Sequence, residues 1–141
     1  MLKLFLSSHG TFASGLNSSL DILLGGAKNL TVFDAYVTQE NLADVLDAYF
    51  AEVPAEDQVV LLSDLYGGSV NTVMVQWLER PNTFLIAGVN LALLLELGMR
   101  ADPVTPEYLD ELITTSREAL RLVTLDAAAP QSADDFFGDD L

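Results

Sequence analysis

His9 is the only histidine in the 141-residue chain, and it stands at the end of an apolar run, Leu2 to Ser8. A neutral imidazole nitrogen is a good nucleophile for a phosphoryl group, and the phosphoramidate that forms stays reactive enough to pass that group on. Only one ring nitrogen should attack. A carboxylate that accepts a hydrogen bond from the other nitrogen would fix the tautomer and stabilise the positive charge that develops.

Asp64 is the candidate for that carboxylate, because it ends another apolar run, Gln58 to Ser63. The following Gly67-Gly68-Ser69 precedes a helical pattern, so backbone N–H groups and the serine hydroxyl could surround phosphoryl oxygens. Gly10-Thr11 would do the same beside His9. Transfer of this kind can rely on positioning and fixed dipoles, so no metal and no cofactor are required.

Each of these features has a plainer explanation when it is taken alone. A lone histidine at a strand end is often a structural hydrogen-bonding group, and Asp-x-x-Gly-Gly-Ser could be a turn followed by a helix cap. Asp34, near the end of a further strand, is interpreted as a solvated or capping residue. The hypothesis gains its force from the conjunction of one histidine, one aspartate and one glycine-rich helix start.

Strand-like and helix-like segments alternate along the chain. The hydrophobic patterns predict strands over 2–8, 30–37, 58–63 and 83–87, with helices over 11–24, from a Thr38 cap to Pro54, over 70–79, over 90–100 and over 105–118. Such alternation predicts an α/β fold with a doubly wound, mostly parallel sheet flanked by helices. Leu120 to Leu125 is expected to form a last strand, at a sheet edge or shared with another subunit. Residues 1–126 would form one domain and 127–141 a flexible acidic tail.

The carboxyl ends of parallel strands meet at one edge of the sheet, where ligands bind near the point at which strand order reverses. The first and third strands are usually neighbours across that point. The topology therefore predicts that His9 and Asp64 lie together.

Composition excludes several classes of function. Twenty-one acidic against six basic side chains give a net charge of −15, which argues against binding to nucleic acid. The chain has no cysteine, so it has neither disulfides nor thiolate metal sites, and this fits a cytoplasmic protein. We expect no targeting or membrane-spanning segment, and contact with a membrane only through transporter subunits.

Three motifs resemble the mannose/fructose-type enzyme IIA of the bacterial sugar phosphotransferase system, in family order and over about residues 2–125. They are Ser8-His9-Gly10 with Phe12-Ala13-x-Gly15-Leu16, then Leu62 to Ser69 (LSDLYGGS), then Ile86 to Leu91 (IAGVNL). The resemblance implies that His9 is phosphorylated, that Asp64 pairs with it, and that Gly67, Gly68 and Ser69 face the phosphate. It also implies a histidine-containing phosphocarrier protein as donor, an enzyme IIB as acceptor, and a homodimer that exchanges the C-terminal strand.

The chain departs from the family pattern at Val70 and Ala92, where prolines are common, and at Tyr66, where some members have tryptophan. These changes affect loop stiffness and partner choice more than chemistry. A regulatory IIA, whose phosphorylation signals rather than drives sugar uptake, stays open as an alternative, as does a dimerisation domain with an inert His9. A two-component receiver is set aside, because its acidic pair after the first strand and its lysine near the last strand are missing.

Overall fold

The computed structural model describes residues 1–125, so the predicted tail 127–141 lies outside the described residues. Four strands and five α-helices follow one another in this part of the chain, with a short 3-10 segment, Gln76–Glu79, after the third helix. The strands are β1 (Leu2–His9), β2 (Leu30–Ala35), β3 (Gln58–Ser63) and β4 (Thr83–Ala87). The helices are α1 (Phe12–Leu24), α2 (Leu42–Glu52), α3 (Ser69–Val75), α4 (Leu91–Met99) and α5 (Pro106–Arg117).

The sheet has the strand order β2-β1-β3-β4, and every pair of neighbours is parallel. The predicted α/β fold and the predicted contact between the first and third strands are thereby confirmed. Ser7 of β1 lies opposite both Phe33 of β2 and Ser63 of β3. The residues that follow these positions, His9 and Asp64 among them, emerge at the same edge of the sheet.

Alternation along the strands sends side chains to two cores. Leu4 and Leu6 of β1 belong to a cluster formed with α1, α4 and α5, whereas Phe5 belongs to a second cluster with α2 and α3. All three side chains have no exposed surface. Because helices cover both faces, β1 and β3 read as continuous apolar runs instead of alternating ones. The two cores hold β1 and β3, the strands that carry the polar edge residues, in the centre of the sheet.

Helix starts follow the capping rules, with one correction. Asn90 and Thr105 cap α4 and α5 as predicted, each accepting a hydrogen bond from the backbone N–H three residues further on. The predicted Thr38 cap is wrong. Asn41 caps α2 instead, and its side chain accepts from the Asp44 N–H at 2.8 Å.

The predicted last strand does not form within this single chain. Residues 120–124 have no regular secondary structure. The apolar side chains of this segment are exposed: Leu120 by 88%, Leu122 by 88%, Val123 by 71% and Leu125 by 91%. A strand needs a hydrogen-bonding neighbour, and this segment does not join either open edge of its own sheet, so exchange between subunits stays a prediction.

Candidate functional site

His9 and Asp64 are in direct contact at the carboxyl edge of the sheet. His9 is the last residue of β1, and Asp64 follows the last residue of β3. Two hydrogen bonds join them, both to Asp64 Oδ2: the ring Nδ1 lies 2.9 Å away, and the His9 backbone N–H donates over 2.9 Å. The His9 side chain is 42% exposed and that of Asp64 is 15% exposed. The imidazole is therefore open to another molecule while its partner is sheltered.

The surroundings of Asp64 keep its carboxyl group ionised. Partial burial raises the pKa of this carboxyl, but the hydrogen bonds from the His9 backbone N–H and ring, with the charge of the ring, together outweigh burial and hold the pKa below its ordinary value. An ionised carboxylate only accepts hydrogen bonds. In the neutral ring the Nδ1 atom of His9 therefore carries the proton, which leaves the lone pair on Nε2.

Two hydroxyl groups, those of Ser69 and Tyr36, are linked to His9 Nε2 by successive hydrogen bonds. Ser69 Oγ lies 3.1 Å from His9 Nε2, and the Tyr36 hydroxyl lies 2.6 Å from Ser69 Oγ. Because Nε2 has a lone pair and no proton, the Ser69 hydroxyl donates to it, and the Tyr36 hydroxyl in turn donates to Ser69. The direction of all these hydrogen bonds follows from the single ionised carboxylate of Asp64.

The two glycines of the 67–69 turn allow this close approach. Gly67 has a φ of 77°, in the left-handed region that glycine adopts without steric cost. A Cβ atom on Gly68 would lie 3.3 Å from His9 Cε1, which leaves almost no room for a side chain. Gly68 N–H is bonded to the Leu65 carbonyl, whereas the N–H groups of Gly67 and Ser69 have no acceptor within residues 1–125. These two N–H groups are the available backbone donors beside the ring.

The start of α1 is arranged differently from the sequence-based expectation. The Gly10 N–H donates to the Ala35 carbonyl at 2.9 Å, so it is already engaged. Asp34 accepts from the Ser14 N–H at 3.0 Å and is thus a capping group, which was one of its two interpretations. Ser8 Oγ accepts from the Ala13 N–H at 2.7 Å. Thr11 remains at the helix start, without a side-chain cap.

Tyr36 belongs to the site, although the sequence did not single it out. It directly follows β2, so it stands at the same carboxyl edge as His9, and its ring centroid lies 5.3 Å from that of the imidazole. The predicted strand 30–37 contained Tyr36, whereas β2 ends at Ala35, so a search for polar aromatic residues in the last positions of each predicted strand would have found it. Nothing in the sequence shows that its side chain turns toward His9.

Of two cavities lined by described residues, the larger does not coincide with the candidate site. One, of about 810 Å³, is lined by Leu2, Lys3 and Asn29 at the amino ends of the strands, the opposite end of the sheet from His9. A smaller cleft of about 530 Å³ lies beside Tyr36 and Ser69. The sole imidazole and the carboxyl of Asp64, whose pKa is lowered by that imidazole, both lie at the carboxyl edge, so we place the candidate site there.

Comparison with known proteins identifies the family. The family model described as "PTS system fructose IIA component" matches residues 3–113. The chain belongs to this enzyme IIA family of the sugar phosphotransferase system. Membership of this family indicates a general role in the phosphoryl transfer of that system. Among residues 1–125 no helix is long and apolar enough to cross a membrane.

Individual relatives agree with the enzyme IIA assignment. The fructose-specific EIIA component of Bacillus subtilis is 25% identical over 126 residues, which cover 86% of each chain. A crystal structure from Klebsiella pneumoniae, described as a sugar phosphotransferase system permease, is 32% identical and has a TM-score of 0.79, covering 86% of this chain and 90% of the other. The mannose/sorbose-specific IIA subunit of Enterococcus faecalis shares the fold, with a TM-score of 0.75, 24% identity, and coverage of 93% and 98%.

Proposed function

We propose that this chain is a cytoplasmic phosphocarrier that takes a phosphoryl group onto His9 from a histidine-containing phosphocarrier protein and passes it to an enzyme IIB. The observation that carries the proposal is the half-exposed imidazole with its Nδ1 held 2.9 Å from an ionised carboxylate. Family membership supplies the reaction class, and this geometry supplies the nucleophile.

The reaction is a pair of displacements at phosphorus. Nε2 of His9 attacks, the Nε2–P bond forms, and the P–N bond to the donor's histidine breaks with its electron pair returning to that ring. The Nδ1 proton stays between the ring and Asp64, whose charge offsets the positive charge gained by the imidazole. Ser69 and the free N–H groups of Gly67 and Ser69 are placed to donate to the phosphoryl oxygens. Attack by the acceptor reverses the sequence.

Thr11 and Gly10 have a smaller part in this proposal. The Thr11 hydroxyl and N–H stand at the helix start beside His9, where they can face an incoming anion. Gly10 contributes through its backbone, since its φ of 63° turns the chain from β1 into α1. Its N–H is engaged with Ala35 and is not a phosphate donor in this arrangement.

Phosphate labelling tests the proposal directly. The protein is incubated with phosphoenolpyruvate, enzyme I and the phosphocarrier protein, alongside His9→Gln and the control Asp34→Asn. We expect acid-labile, alkali-stable phosphate on the wild type and on Asp34→Asn but none on His9→Gln. Labelling of His9→Gln, or an alkali-labile acyl phosphate, would contradict the proposal. Labelled protein that no enzyme IIB can discharge would favour the regulatory role.

A homodimer that exchanges residues 120–125 is also part of the proposal. The exposed apolar side chains of this segment support it, as does the outer edge of β4, which pairs with no strand of residues 1–125. Leu122→Asp should shift the protein toward monomer in light scattering. Ile22 on α1 is the matched control, because it is an aliphatic residue of similar exposure, 83%. Ile22→Asp should leave the mass in light scattering unchanged. Equal masses for wild type and Leu122→Asp would rule out this exchange.

A further inference from the structure

Tyr36 adopts a backbone conformation that its residue type disfavours. Its φ is 67°, and Asn82 is the only other non-glycine residue with positive φ in the part of the chain that the structure describes. The left-handed region is unfavourable for a residue with a Cβ atom, because that atom comes too close to the following carbonyl oxygen. The ring is 67% exposed, so burial does not offset that cost. A strained residue beside a reactive group points to a role for its side chain there.

The strained backbone directs the Tyr36 phenol back across the site. The hydroxyl reaches Ser69 Oγ at 2.6 Å, one of the shortest hydrogen bonds in the described part of the chain, and the ring is tilted by 33° against the imidazole. Ser69 has a single O–H hydrogen and donates it to His9 Nε2. Tyr36 therefore determines where the Ser69 oxygen lies and in which direction its hydrogen points.

In this resting arrangement the Ser69 hydrogen covers the lone pair that must attack phosphorus. The hydroxyl has to turn away as the Nε2–P bond forms and the donor's N–P bond breaks, and its hydrogen can then reach a phosphoryl oxygen. Throughout that rotation Ser69 Oγ can keep accepting from Tyr36. A hydroxyl that accepts a hydrogen bond becomes a better donor, so Tyr36 strengthens the contact of Ser69 with the phosphoryl group.

We propose that Tyr36 is a positioning residue for phosphoryl transfer, acting through Ser69 on the Nε2 side of His9. This inference rests on the proposed function, and it assigns Tyr36 a role that neither the family match nor the motif pattern assigns. Tyr36 does not itself exchange a proton or form a bond in the reaction. Its effect should therefore depend on the presence of the Ser69 hydroxyl.

The test compares Tyr36→Phe, Ser69→Ala and the double variant, with Tyr108→Phe as the matched control. Tyr108 lies in the first turn of α5, with its ring against Arg100, and makes no hydrogen bond with residues 1–125 through its hydroxyl. The rate of phosphoryl transfer from the phosphorylated phosphocarrier protein is measured by rapid quench. Loss of one hydrogen bond corresponds to about a three- to tenfold slower transfer in Tyr36→Phe. In the Ser69→Ala background the same change should have no further effect.

A second readout does not depend on transfer. Because the chain has a single histidine, ¹⁵N labelling gives one pair of imidazole nitrogen resonances. Tyr36→Phe and Ser69→Ala should each move the Nε2 resonance toward that of an unbonded nitrogen, and Tyr108→Phe should not.

The inference is overturned if Tyr36→Phe transfers within about twofold of Tyr108→Phe, whatever its spectrum, or if the Tyr36→Phe change slows the Ser69→Ala protein as much as it slows the wild type. An unchanged Nε2 resonance in Tyr36→Phe would overturn it as well. Failure of the proposed function looks different, because the wild type would then take no phosphate on His9 before any variant is compared.

Discussion

Replacing Asp64 by asparagine keeps the size of the side chain and removes its charge. The carboxylate oxygen lies 2.9 Å from the ring nitrogen of His9, which gains positive charge as the Nε2–P bond forms. At that distance a full unit charge is worth about 1.4 kcal/mol at the dielectric constant of water and about 6 kcal/mol at an effective value of 20. Because the imidazole is 42% exposed, the lower part of this range applies.

A loss of about 2 kcal/mol corresponds to about a 30-fold slower transfer. The amide of asparagine can also turn its NH₂ toward Nδ1, which would favour the wrong tautomer and slow the reaction further. We therefore expect Asp64→Asn to fold normally and to accept phosphate from the phosphocarrier protein about 10 to 100 times more slowly than the wild type.

Single-turnover transfer, followed by rapid quench with excess phosphorylated donor, measures this step. Asp34→Asn is the matched control, since Asp34 lies at the same edge of the sheet, bonds the Ser14 N–H and has no hydrogen bond to His9. Circular dichroism and urea midpoints establish that both variants are folded. A rate for Asp64→Asn within about twofold of Asp34→Asn would refute the argument that the carboxylate orients and stabilises the imidazole.

Three further predictions concern the site and its support. Gly68→Ala should slow transfer several-fold, because the added Cβ atom would lie 3.3 Å from His9 Cε1. The control Gly15→Ala should transfer normally, because its added Cβ atom meets nothing within 4 Å, and it should raise the free energy of unfolding by about 0.5–1 kcal/mol. Tyr49→Phe should leave the urea midpoint unchanged or raise it, because the hydroxyl is buried without a hydrogen-bond partner in residues 1–125. Burial also raises the pKa of Tyr49 to about 12, so wild-type stability should fall as the pH rises from 10 toward 12, and Tyr49→Phe should lose that dependence. The pKa of the Asp64 carboxyl is held below its ordinary 3.8, so the ionised group stabilises the fold above that pH. This contribution to the free energy of unfolding should be lost as the pH falls through the lower pKa of the folded state. Asp64→Asn should not show this pH dependence.

Two strands, β3 and β4, could be predicted closely from the sequence. The bounds of β3 and β4 agree residue for residue with the predicted 58–63 and 83–87. A strand covered on both faces is an uninterrupted apolar run, and polar or turn-forming residues mark both of its ends. The pairing of His9 with Asp64 followed from topology alone, because only a small number of strand orders suit this alternation of elements.

The conformation of the chain after β2 could not be predicted from the sequence. The predicted site was incomplete because it lacked a residue from this region. Both Thr38 and Asn41 are good helix caps, and the choice depends on how the chain leaves the strand. It leaves through the left-handed Tyr36, a conformation that the sequence does not reveal for a tyrosine. The same turn sends the phenol toward Ser69, so one unforeseen backbone angle accounts for both the misplaced cap and the missed side chain.

Anchoring of the His9 backbone and ring by one oxygen of Asp64 limits how other proteins can use this imidazole. Turning the ring over would break the bond from Nδ1, so only the Nε2 side faces outward. Under the proposed relay, donor and acceptor must then dock on the same side and cannot be bound together. Turnover should follow ping-pong kinetics, with parallel lines in double-reciprocal plots, and an excess of either unphosphorylated partner should compete with the other.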